Sequence, residues 1–318
     1  MAPTTRRAIG LDIGGTKVLG LAVDTATGEV LEERRVPTPR GSEALVDALV
    51  DVSRSLRDPA AGDAAVGVGI AGLVDVRGVV RYSPNLPGVI DLELRDRLVE
   101  ALGVPVTVDN DATTATVAEH RLGAGRDSTD MVYVALGTGI GGGLVLDGDV
   151  RRGAHGFGGE IGHMVVDRDG AICACGRRGC WETIASGSAL GELARERAEA
   201  GRAPAIVEAA GGDAQAVTGE HAVLAAVEGD EVARAVIDVY AESVALGISA
   251  LIVALDPAVV VVGGGVVDAG EIVMAPVRGA VAHRVMGGQH RPQVPVVAAA
   301  FGGASAAIGA AWMAASIS

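Results

Sequence analysis

Aromatic side chains are scarce in this 318-residue chain: Phe, Trp and Tyr together make up 2% of the residues, although 49% are hydrophobic. The core must therefore be built from Val, Ala, Leu and Ile around 47 glycines. Such a composition favours an α/β protein with tight turns after its strands. The length is sufficient for two domains or for one large one.

Basic residues are also in the minority, because 26 Lys and Arg stand against 40 Asp and Glu. The formal net charge of −14 repels phosphate backbones and anionic lipid surfaces. In the N-terminal run "MAPTTRRAIGLDIGG", Asp12 comes too early for the apolar core of a signal peptide. We therefore expect a cytoplasmic protein that binds neither nucleic acid nor a membrane.

The segment from Gln293 to Ser318 contains no charged residue, a property that it shares with membrane helices. However, Pro295 and the pair Gly302–Gly303 interrupt the segment, and its many alanines make it only weakly hydrophobic. The pattern predicts a buried strand, a glycine turn and a packed helix.

Cysteine is rare as well, and all three cysteines lie within the stretch "CACGRRGCWE". An odd number of thiols in a cytoplasmic protein disfavours a disulfide framework. With His163 upstream, separated from Cys173 by nine intervening residues, the stretch offers the Cys3His donor set of tetrahedral zinc: His163, Cys173, Cys175 and Cys180. Four protein ligands leave no position for a catalytic water, so the zinc is expected to be structural. Chance clustering of thiols is the alternative.

Two glycine-rich hairpins are predicted. "AIGLDIGGTKVLGLAVD" begins at Ala8, and "VYVALGTGIGGGLVLDG" begins at Val132; each is an apolar strand, a glycine turn and a second apolar strand. The repetition indicates an internal duplication whose turns offer backbone N–H groups to a polyphosphate. The second turn also satisfies G-x-G-x-x-G, but β-like residues follow it where a dinucleotide-binding unit needs a helix. An ordinary P-loop motif is absent from both turns.

Two further stretches combine a strand with polar or glycine residues. "AVVVVGGGVV", from Ala258, predicts a buried strand and a glycine turn, which is either a simple chain reversal or a wall for a flat ring such as adenine. "VTVDNDATTAT" predicts a short strand followed by Asp109, Asn110 and Asp111 at the start of a helix. These polar residues either cap the helix, or at least one of them faces a cleft.

Two supporting helices are predicted near the N-terminus. "EALVDALVDVSRSL" repeats leucine and valine on one face, and "DLELRDRLVEALG" ends at Gly103, a residue suited to a C-terminal cap. The stretch "RRG" that begins at Arg151 is interpreted as a solvated turn.

Taken together, the motifs "LDIGGTK", "NDA", "ALGTGIGGG", "GEIGH" and "CACGRRGCWE" closely resemble, in order and spacing, the ROK family of sugar kinases and sugar-responsive repressors. The resemblance runs from Ile9 to about Trp312. It implies the actin-like, ribonuclease H-like duplicated fold, with two α/β domains, mixed sheets and an interdomain cleft. We expect a small domain at residues 1–117, on which a helix at about 305–318 packs, and a large domain at residues 118–304 with the zinc-binding loop.

The resemblance also implies a role for each matching residue. Asp111 aligns with the general base of the family, and the residues expected to contact sugar hydroxyls besides it are Asn85, Asn110, Glu160, His163 and Glu182. A plain turn at Pro84–Asn85 is the alternative for Asn85. The residues expected to bind ATP are Asp12, Gly14, Gly15, Thr16 and Lys17 in the first turn, Gly137, Thr138 and Gly139 in the second, and Gly264 and Gly265 at the adenosine. Asp12 is expected to orient Mg2+ or its water shell.

In this interpretation zinc is a clamp rather than a catalyst: His163 binds zinc through one ring nitrogen and presents the other to the sugar. The activity implied is ATP-dependent phosphorylation of a hexose, with glucose 6-phosphate as the expected product. Only Met1 to Ala8 precede the stretch that resembles the family, which begins at Ile9, so the winged helix of the repressors is not expected. "TIAS", from Thr183, departs from the pattern for glucose and leaves fructose, allose and N-acetylmannosamine as alternative sugars. Polyphosphate as the donor and a non-catalytic sugar sensor are separate alternatives. A homodimer or homotetramer is expected.

Overall fold

The computed structural model describes residues 7–58 and 64–317, and over these ranges the chain forms thirteen β-strands and ten α-helices besides short 3-10 helices. Most of the N-terminal run that argues against a signal peptide is described, but its first six residues lie outside these ranges. The chain divides into two units. Unit 1 comprises the described parts of Met1–Thr129, Gly143–Gly159 and Ala299–Ser318, and unit 2 comprises Asp130–Gly142 and Glu160–Ala298. The domain division at residue 117 stays a prediction.

The elements as far as Arg121 are, in chain order, β1 (Arg7–Ile13), β2 (Lys17–Asp24), β3 (Glu29–Pro37), α1 (Ser42–Ser55), β4 (Val66–Ile70), β5 (Leu73–Val74), β6 (Val80–Tyr82), β7 (Ile90–Leu92), α2 (Leu94–Leu102), β8 (Val106–Asn110) and α3 (Asp111–Arg121). The elements that follow are β9 (Met131–Leu136), β10 (Ile140–Leu146), β11 (Asp149–Val150), α4 (Glu182–Ala185), α5 (Gly187–Glu199), α6 (Pro204–Ala209), α7 (Gly219–Val227), α8 (Glu231–Leu255), β12 (Val259–Gly263), α9 (Glu271–Arg284), β13 (Val296–Ala298) and α10 (Ser305–Ala315).

Two five-stranded sheets have equivalent strand orders, as the predicted internal duplication requires. In each sheet three strands that are consecutive in sequence lie side by side, and two later strands follow next to the first of the three. The first sheet runs β3-β2-β1-β4-β8, with β1 antiparallel to β2 and with β1, β4 and β8 mutually parallel. The second sheet runs β11-β10-β9-β12-β13, and β12 is parallel to both β9 and β13. Strands β5, β6 and β7 form a small third sheet. The predicted hairpins and the buried strand before the third glycine turn are therefore confirmed.

The first sheet has helices on both of its faces. Leu45 and Leu49 of α1 and Leu98 of α2 pack in one buried cluster with Ile9 and Leu11 of β1. Helix α2 ends at Gly103, whose φ of 69° is in the left-handed region, so both helix predictions are confirmed. Sheets covered on both faces need strands that are apolar throughout, and β4 is buried along its whole length.

Helix α10 packs directly on the other face of the first sheet. A Cβ atom at Gly10 of β1 would overlap the carbonyl oxygen of Ala307, and one at Gly67 of β4 would overlap that of Ala310. The two glycines therefore let the backbone of α10 lie against both strands. The uncharged C-terminal segment forms β13, a 3-10 turn at Gly302–Ala304 and α10, in the predicted order, but only Val296 of β13 is buried.

Helix α8 is the one helix among the described residues that is long and apolar enough, by length and composition, to cross a membrane. Within the fold 61% of its most apolar window is buried. Val236, Tyr240, Val244 and Ile248 are among its buried residues, and the helix packs against α7 and α9. These contacts identify α8 as the core helix of unit 2.

Candidate functional site

The first glycine turn joins β1 to β2 and is fixed by three hydrogen bonds. The backbone N–H of Gly14 donates to the Lys17 carbonyl at 3.1 Å. The Thr38 hydroxyl donates to the Gly14 carbonyl at 2.7 Å, and the Thr38 N–H donates to the Thr16 carbonyl at 3.1 Å. The turn is therefore held in one shape by β3 and by its own residues.

Asp12 lies near the end of β1, just before this turn. Burial raises the pKa of its carboxyl to about 7; the nearby charge of Asp111 adds to the effect, and Lys17 opposes it. Asp12 is opposite Gly69 of β4, and Gly69 is opposite Asp109 of β8. The parallel strands therefore bring Asp12 and Asp109 to the same end of the sheet, where the strands have their carboxyl ends. A buried carboxylate whose charge is disfavoured is suited to hold a cation.

The three polar residues at the end of β8 have different partners. Asn110 caps α3: its Oδ1 accepts a hydrogen bond from the Thr113 N–H at 3.0 Å, and its Nδ2 donates to the Gly72 carbonyl at 3.1 Å. An oxygen of Asp111 accepts a hydrogen bond from the Ala112 N–H at 2.9 Å, and burial raises the pKa of Asp111. The capping interpretation is thus confirmed for Asn110, whereas its contact with a sugar stays a prediction.

Asn85 lies against the first glycine turn. Its backbone oxygen is 3.0 Å from the point that a Cβ atom of Gly15 would occupy, and its own Cβ is 3.4 Å from that point. The Leu86 N–H donates to the Ser83 carbonyl at 3.3 Å, so the predicted turn at Pro84–Asn85 is present as well.

The second glycine turn, between β9 and β10, is held by the segment that follows the cysteine stretch. The Gly187 N–H donates to the Gly137 carbonyl at 2.7 Å, and the Ser188 hydroxyl donates to the Thr138 carbonyl at 2.8 Å. The third turn is next to it: the N–H of Val266, one residue after Gly265, donates to the carbonyl of Leu136 at 3.1 Å. The second and third glycine turns therefore lie side by side at the carboxyl ends of β9 and β12.

The Cys3His set predicted from spacing forms a cluster in unit 2. One ligand atom from each of His163, Cys173, Cys175 and Cys180 lies within 4.8 Å of all the others. The sulfurs of Cys175 and Cys180 are 3.6 Å apart, and the sulfur of Cys173 is 3.6 Å from His163 Nδ1. Sulfurs that bind one tetrahedral zinc ion at about 2.3 Å are roughly 3.8 Å apart, so these residues fit zinc.

Trp181 anchors this cluster to α8, a function that sequence reasoning missed. Its side chain is fully buried, its Nε1–H donates to the Ser243 carbonyl at 2.9 Å, and its ring lies against Gly247. The signal was present in the sequence, because one of only two tryptophans in the chain directly follows Cys180. The anchor fixes Cys180 and Glu182, the residues that precede and follow Trp181 in the chain.

The predicted sugar ligands of unit 2 lie beside the cluster. His163 Nδ1 faces Cys173, whereas Nε2 is 3.9 Å from a carboxylate oxygen of Glu160. Glu182 Oε1 is 3.6 Å from the sulfur of Cys173, and Oε2 accepts a hydrogen bond from the Ile140 N–H at 2.9 Å. The orientation of the His163 ring thus matches one that binds a metal at Nδ1 and a ligand at Nε2.

The structure distributes the predicted site residues over both units. The residues in unit 1 are Asp12, Gly14, Gly15, Thr16, Lys17, Asn85, Asn110 and Asp111. The residues in unit 2 are Gly137, Thr138, Gly139, Glu160, His163, Cys173, Cys175, Cys180, Glu182, Gly264 and Gly265. Unit 1 combines two half-buried carboxylates with a glycine turn, and unit 2 combines two glycine turns with a loop whose residues fit zinc.

The interpretation of "RRG" as a solvated turn is wrong for its second arginine. Arg152 Nε donates to Asp109 Oδ2 at 2.5 Å, and the side chain of Asp109 is only 7% exposed. Arg151 is the solvated one: its side chain is 46% exposed and donates to the Leu146 carbonyl. Adjacent arginines gave no sequence signal to tell them apart.

Comparison with known proteins agrees with this geometry. The profile of the ROK family matches residues 8–317. A glucokinase from Streptomyces coelicolor is 37% identical over 311 residues, which are 95% of this chain and 96% of the relative. An N-acetylmannosamine kinase from Escherichia coli is 35% identical over 261 residues, 81% of this chain and 82% of the relative. A solved structure of a ROK family glucokinase from Streptomyces griseus, in complex with glucose and AMPPNP, is 38% identical, with a TM-score of 0.89, and covers 97% of this chain and 99% of that chain.

The repeated sheets, the glycine turns and the likeness to that solved structure define an actin-like α/β protein, so the predicted fold class is confirmed. The chain belongs to the ROK family, as the motifs of its sequence indicate.

Proposed function

We propose that this protein is an ATP-dependent sugar kinase that converts glucose to glucose 6-phosphate, with Asp111 as the general base. One observation carries the proposal: a Cβ atom at Gly69, which is opposite Asp12 in the sheet, would be 3.4 Å from the Cα atom of Asp111, so both acidic residues lie near the end of β1 that leads into the first glycine turn. A sugar sensor needs sugar contacts but has no use for a base and a phosphate-binding turn in one place. The paired carboxylates therefore favour a kinase.

In the proposed reaction Asp111 accepts the proton of a sugar hydroxyl while the hydroxyl oxygen attacks the γ-phosphorus of ATP. The bond between that phosphorus and the β–γ bridging oxygen breaks, and ADP leaves. Because burial raises the pKa of Asp111, its carboxylate is a stronger base than an exposed one. The remaining demand of phosphoryl transfer is positioning and neutralisation of charge, which backbone N–H groups of the glycine turns supply.

Two metals fit the donor sets. The buried oxygen donor of Asp12 is suited to Mg2+ or its water shell, and Mg2+ neutralises phosphate charge when bound. The soft donors of the Cys3His cluster are suited to zinc, which fixes the loop between His163 and Glu182 when bound. Asp12 itself orients the cation, and the loop residues themselves present the sugar contacts.

We propose Asn85, Asn110, Glu160, His163 and Glu182 as the sugar-binding residues, together with Asp111. Carboxylates accept hydrogen bonds from adjacent hydroxyls of a polyol, and His163 Nε2 is turned away from the cysteines. The side-chain oxygen of Asn110 uses one acceptor position on the Thr113 N–H, which leaves the other for a sugar hydroxyl.

Glucose is favoured because the Streptomyces relatives and the solved structure named above are glucokinases. A kinase for another hexose derivative is the second candidate, since an N-acetylmannosamine kinase is nearly as similar in sequence. The choice depends on side chains around the sugar, because a site built to hydrogen-bond a hydroxyl discriminates against a sugar without it by about 10⁴–10⁵-fold.

A coupled assay of ADP release with Mg-ATP tests the proposal. The panel is glucose, fructose, mannose, allose, N-acetylglucosamine and N-acetylmannosamine, and polyphosphate replaces ATP in a parallel series. Strong turnover of glucose is expected. Turnover of a different sugar overturns the substrate, and turnover only with polyphosphate overturns the donor. Sugar binding in calorimetry without any turnover identifies a sensor instead.

We also propose a cytoplasmic homodimer or homotetramer, as the family resemblance implies. Light scattering of the purified protein measures its mass directly, and a mass near 31.8 kDa identifies a monomer and contradicts the proposal.

A further inference from the structure

An ion pair between a buried carboxylate and a half-buried arginine lies next to the residues to which we assign the chemistry. Asp109 precedes Asn110 and Asp111, and its side chain is 7% exposed. Its Oδ2 accepts a hydrogen bond from Arg152 Nε at 2.5 Å, and its Oδ1 accepts one from the Asn110 N–H at 2.9 Å. Both oxygens of this carboxylate are thus engaged, one by a distant arginine and the other by the turn that begins α3.

Arg152 is itself fixed at both ends. Its backbone carbonyl accepts a hydrogen bond from the Gly158 N–H at 2.8 Å, and its guanidinium Nη2 is 3.7 Å from the sulfur of Met313 on α10. The same segment is joined to the residues after β5, because the Val76 N–H donates to the His155 carbonyl at 3.3 Å. Arg152 therefore transmits the position of α10 and of its own loop to the end of β8.

Breaking this ion pair costs more free energy than the intact pair adds to the stability of the folded protein. Burial raises the pKa of Asp109, whereas the charge and hydrogen bond of Arg152 lower it. A buried carboxylate that loses its cation is strongly destabilised, so the pair constrains its two partners even where it adds little net stability. The constraint acts on the peptide between Asp109 and Asn110, which determines the direction in which Asn110 and Asp111 leave the strand.

We propose that Arg152 is a positioning residue for the reaction: through Asp109 it holds Asn110 and Asp111 in the orientation that sugar binding and proton transfer require. The proposal rests on the proposed function, because it assumes that Asp111 is the base. Displacement of a catalytic group by about 1 Å costs roughly a hundredfold in rate. A pair that contributes only to stability has no such effect on the rate of the folded enzyme.

The neighbouring arginine provides a matched control. Arg152→Gln and Arg151→Gln remove the same charge from adjacent residues, but only the first breaks the contact with Asp109. We expect Arg152→Gln to lower kcat by roughly ten- to a hundredfold and to weaken sugar binding in calorimetry, with little change in the KM for ATP. Arg152→Lys, which keeps a cation near Asp109, should recover part of the loss, and Arg151→Gln should match the wild type.

The outcomes separate the two proposals. If Arg152→Gln is folded and matches Arg151→Gln in kcat and in sugar affinity, the positioning function is wrong although the kinase assignment stands. If the wild type turns over no sugar, the proposed function is wrong. Should Arg152→Gln fail to fold, the double variant Asp109→Asn/Arg152→Gln removes both charges of the pair, so that no unpaired carboxylate is left buried. We expect that variant to fold and to be at least about tenfold slower than the wild type, and a wild-type kcat contradicts the proposal.

Discussion

The Glu182 carboxylate joins the second glycine turn to the cysteine cluster. Its Oε2 accepts a hydrogen bond from the backbone N–H of Ile140 at 2.9 Å, across 42 residues of sequence, while Oε1 is 3.6 Å from the sulfur of Cys173. Gly139 precedes Ile140, and a Cβ atom at that glycine would overlap Oε2. A residue proposed to bind sugar therefore also fixes a turn proposed to bind phosphate.

Two variants of Glu182 separate these functions. Glu182→Gln keeps an oxygen that accepts the Ile140 N–H but removes the charge, so we expect the KM for sugar to rise roughly tenfold or more while the KM for ATP is unchanged. Glu182→Ala removes the acceptor oxygen and the charge, so the KM for sugar and the KM for ATP should both rise. Steady-state kinetics with each substrate varied in turn measures the difference, and Glu192→Gln, on the exposed face of α5, is the control. An unchanged KM for ATP in Glu182→Ala contradicts the link.

The base assignment predicts a separation of turnover from binding. Asp111→Asn keeps the size of the side chain but cannot accept the proton, so kcat should fall about 10²–10⁴-fold while the sugar Kd changes little. Rapid-quench kinetics and calorimetry measure the two quantities on the same sample. Asp127→Asn, at a side chain that is 93% exposed, serves as the control. Turnover of Asp111→Asn close to that of the control rules Asp111 out as the base.

How far the sequence predicts the site depends on the range of each interaction. The hairpins and the cysteine cluster were predictable because strand periodicity and ligand spacing are local properties of the chain. The pair of Arg152 and Asp109 joins residues 43 apart, and the hydrogen bond from Trp181 to Ser243 spans 62 residues. Such contacts depend on which strands and helices become neighbours, and residue types alone do not determine that.

The metal cluster predicts one zinc ion per chain. Cys175 is the exposed cysteine of the set, so Cys175→Ala removes a ligand without opening a cavity in the core. We expect this variant to lose zinc, to unfold at a lower temperature and to bind sugar more weakly, because the loop that carries His163 and Glu182 is no longer fixed. Elemental analysis, calorimetric unfolding and sugar titration measure the three effects. Arg168→Gln, with a 93% exposed side chain on the same loop, should retain the metal. Full zinc content in Cys175→Ala shows that the ligand set is different.

The raised pKa of Asp12 predicts that ionisation of a carboxyl proposed to serve the reaction destabilises the folded protein. Its pKa of about 7 in the folded protein lies above the ordinary value of 3.8, so the folded state binds the proton more tightly than the unfolded state does. The free energy of unfolding should therefore fall as pH rises from about 4 to 7, and the loss persists above that range.

Asp12→Asn removes this ionisation, so in metal-free buffer the variant should be more stable than the wild type at pH 8, by an amount on the order of a few kcal/mol, and much less so at pH 4. Urea unfolding at both pH values measures the difference. Asp127→Asn should show no such gain. Because the same substitution replaces the anionic carboxylate proposed for Mg2+ with a neutral amide, which has one oxygen instead of two, the stabilised variant should be nearly inactive. An equal stability difference at pH 4 and pH 8 would mean that the carboxyl of Asp12 does not titrate in this range. The charge of Asp12 would then not be the reason that the wild type is less stable than the variant.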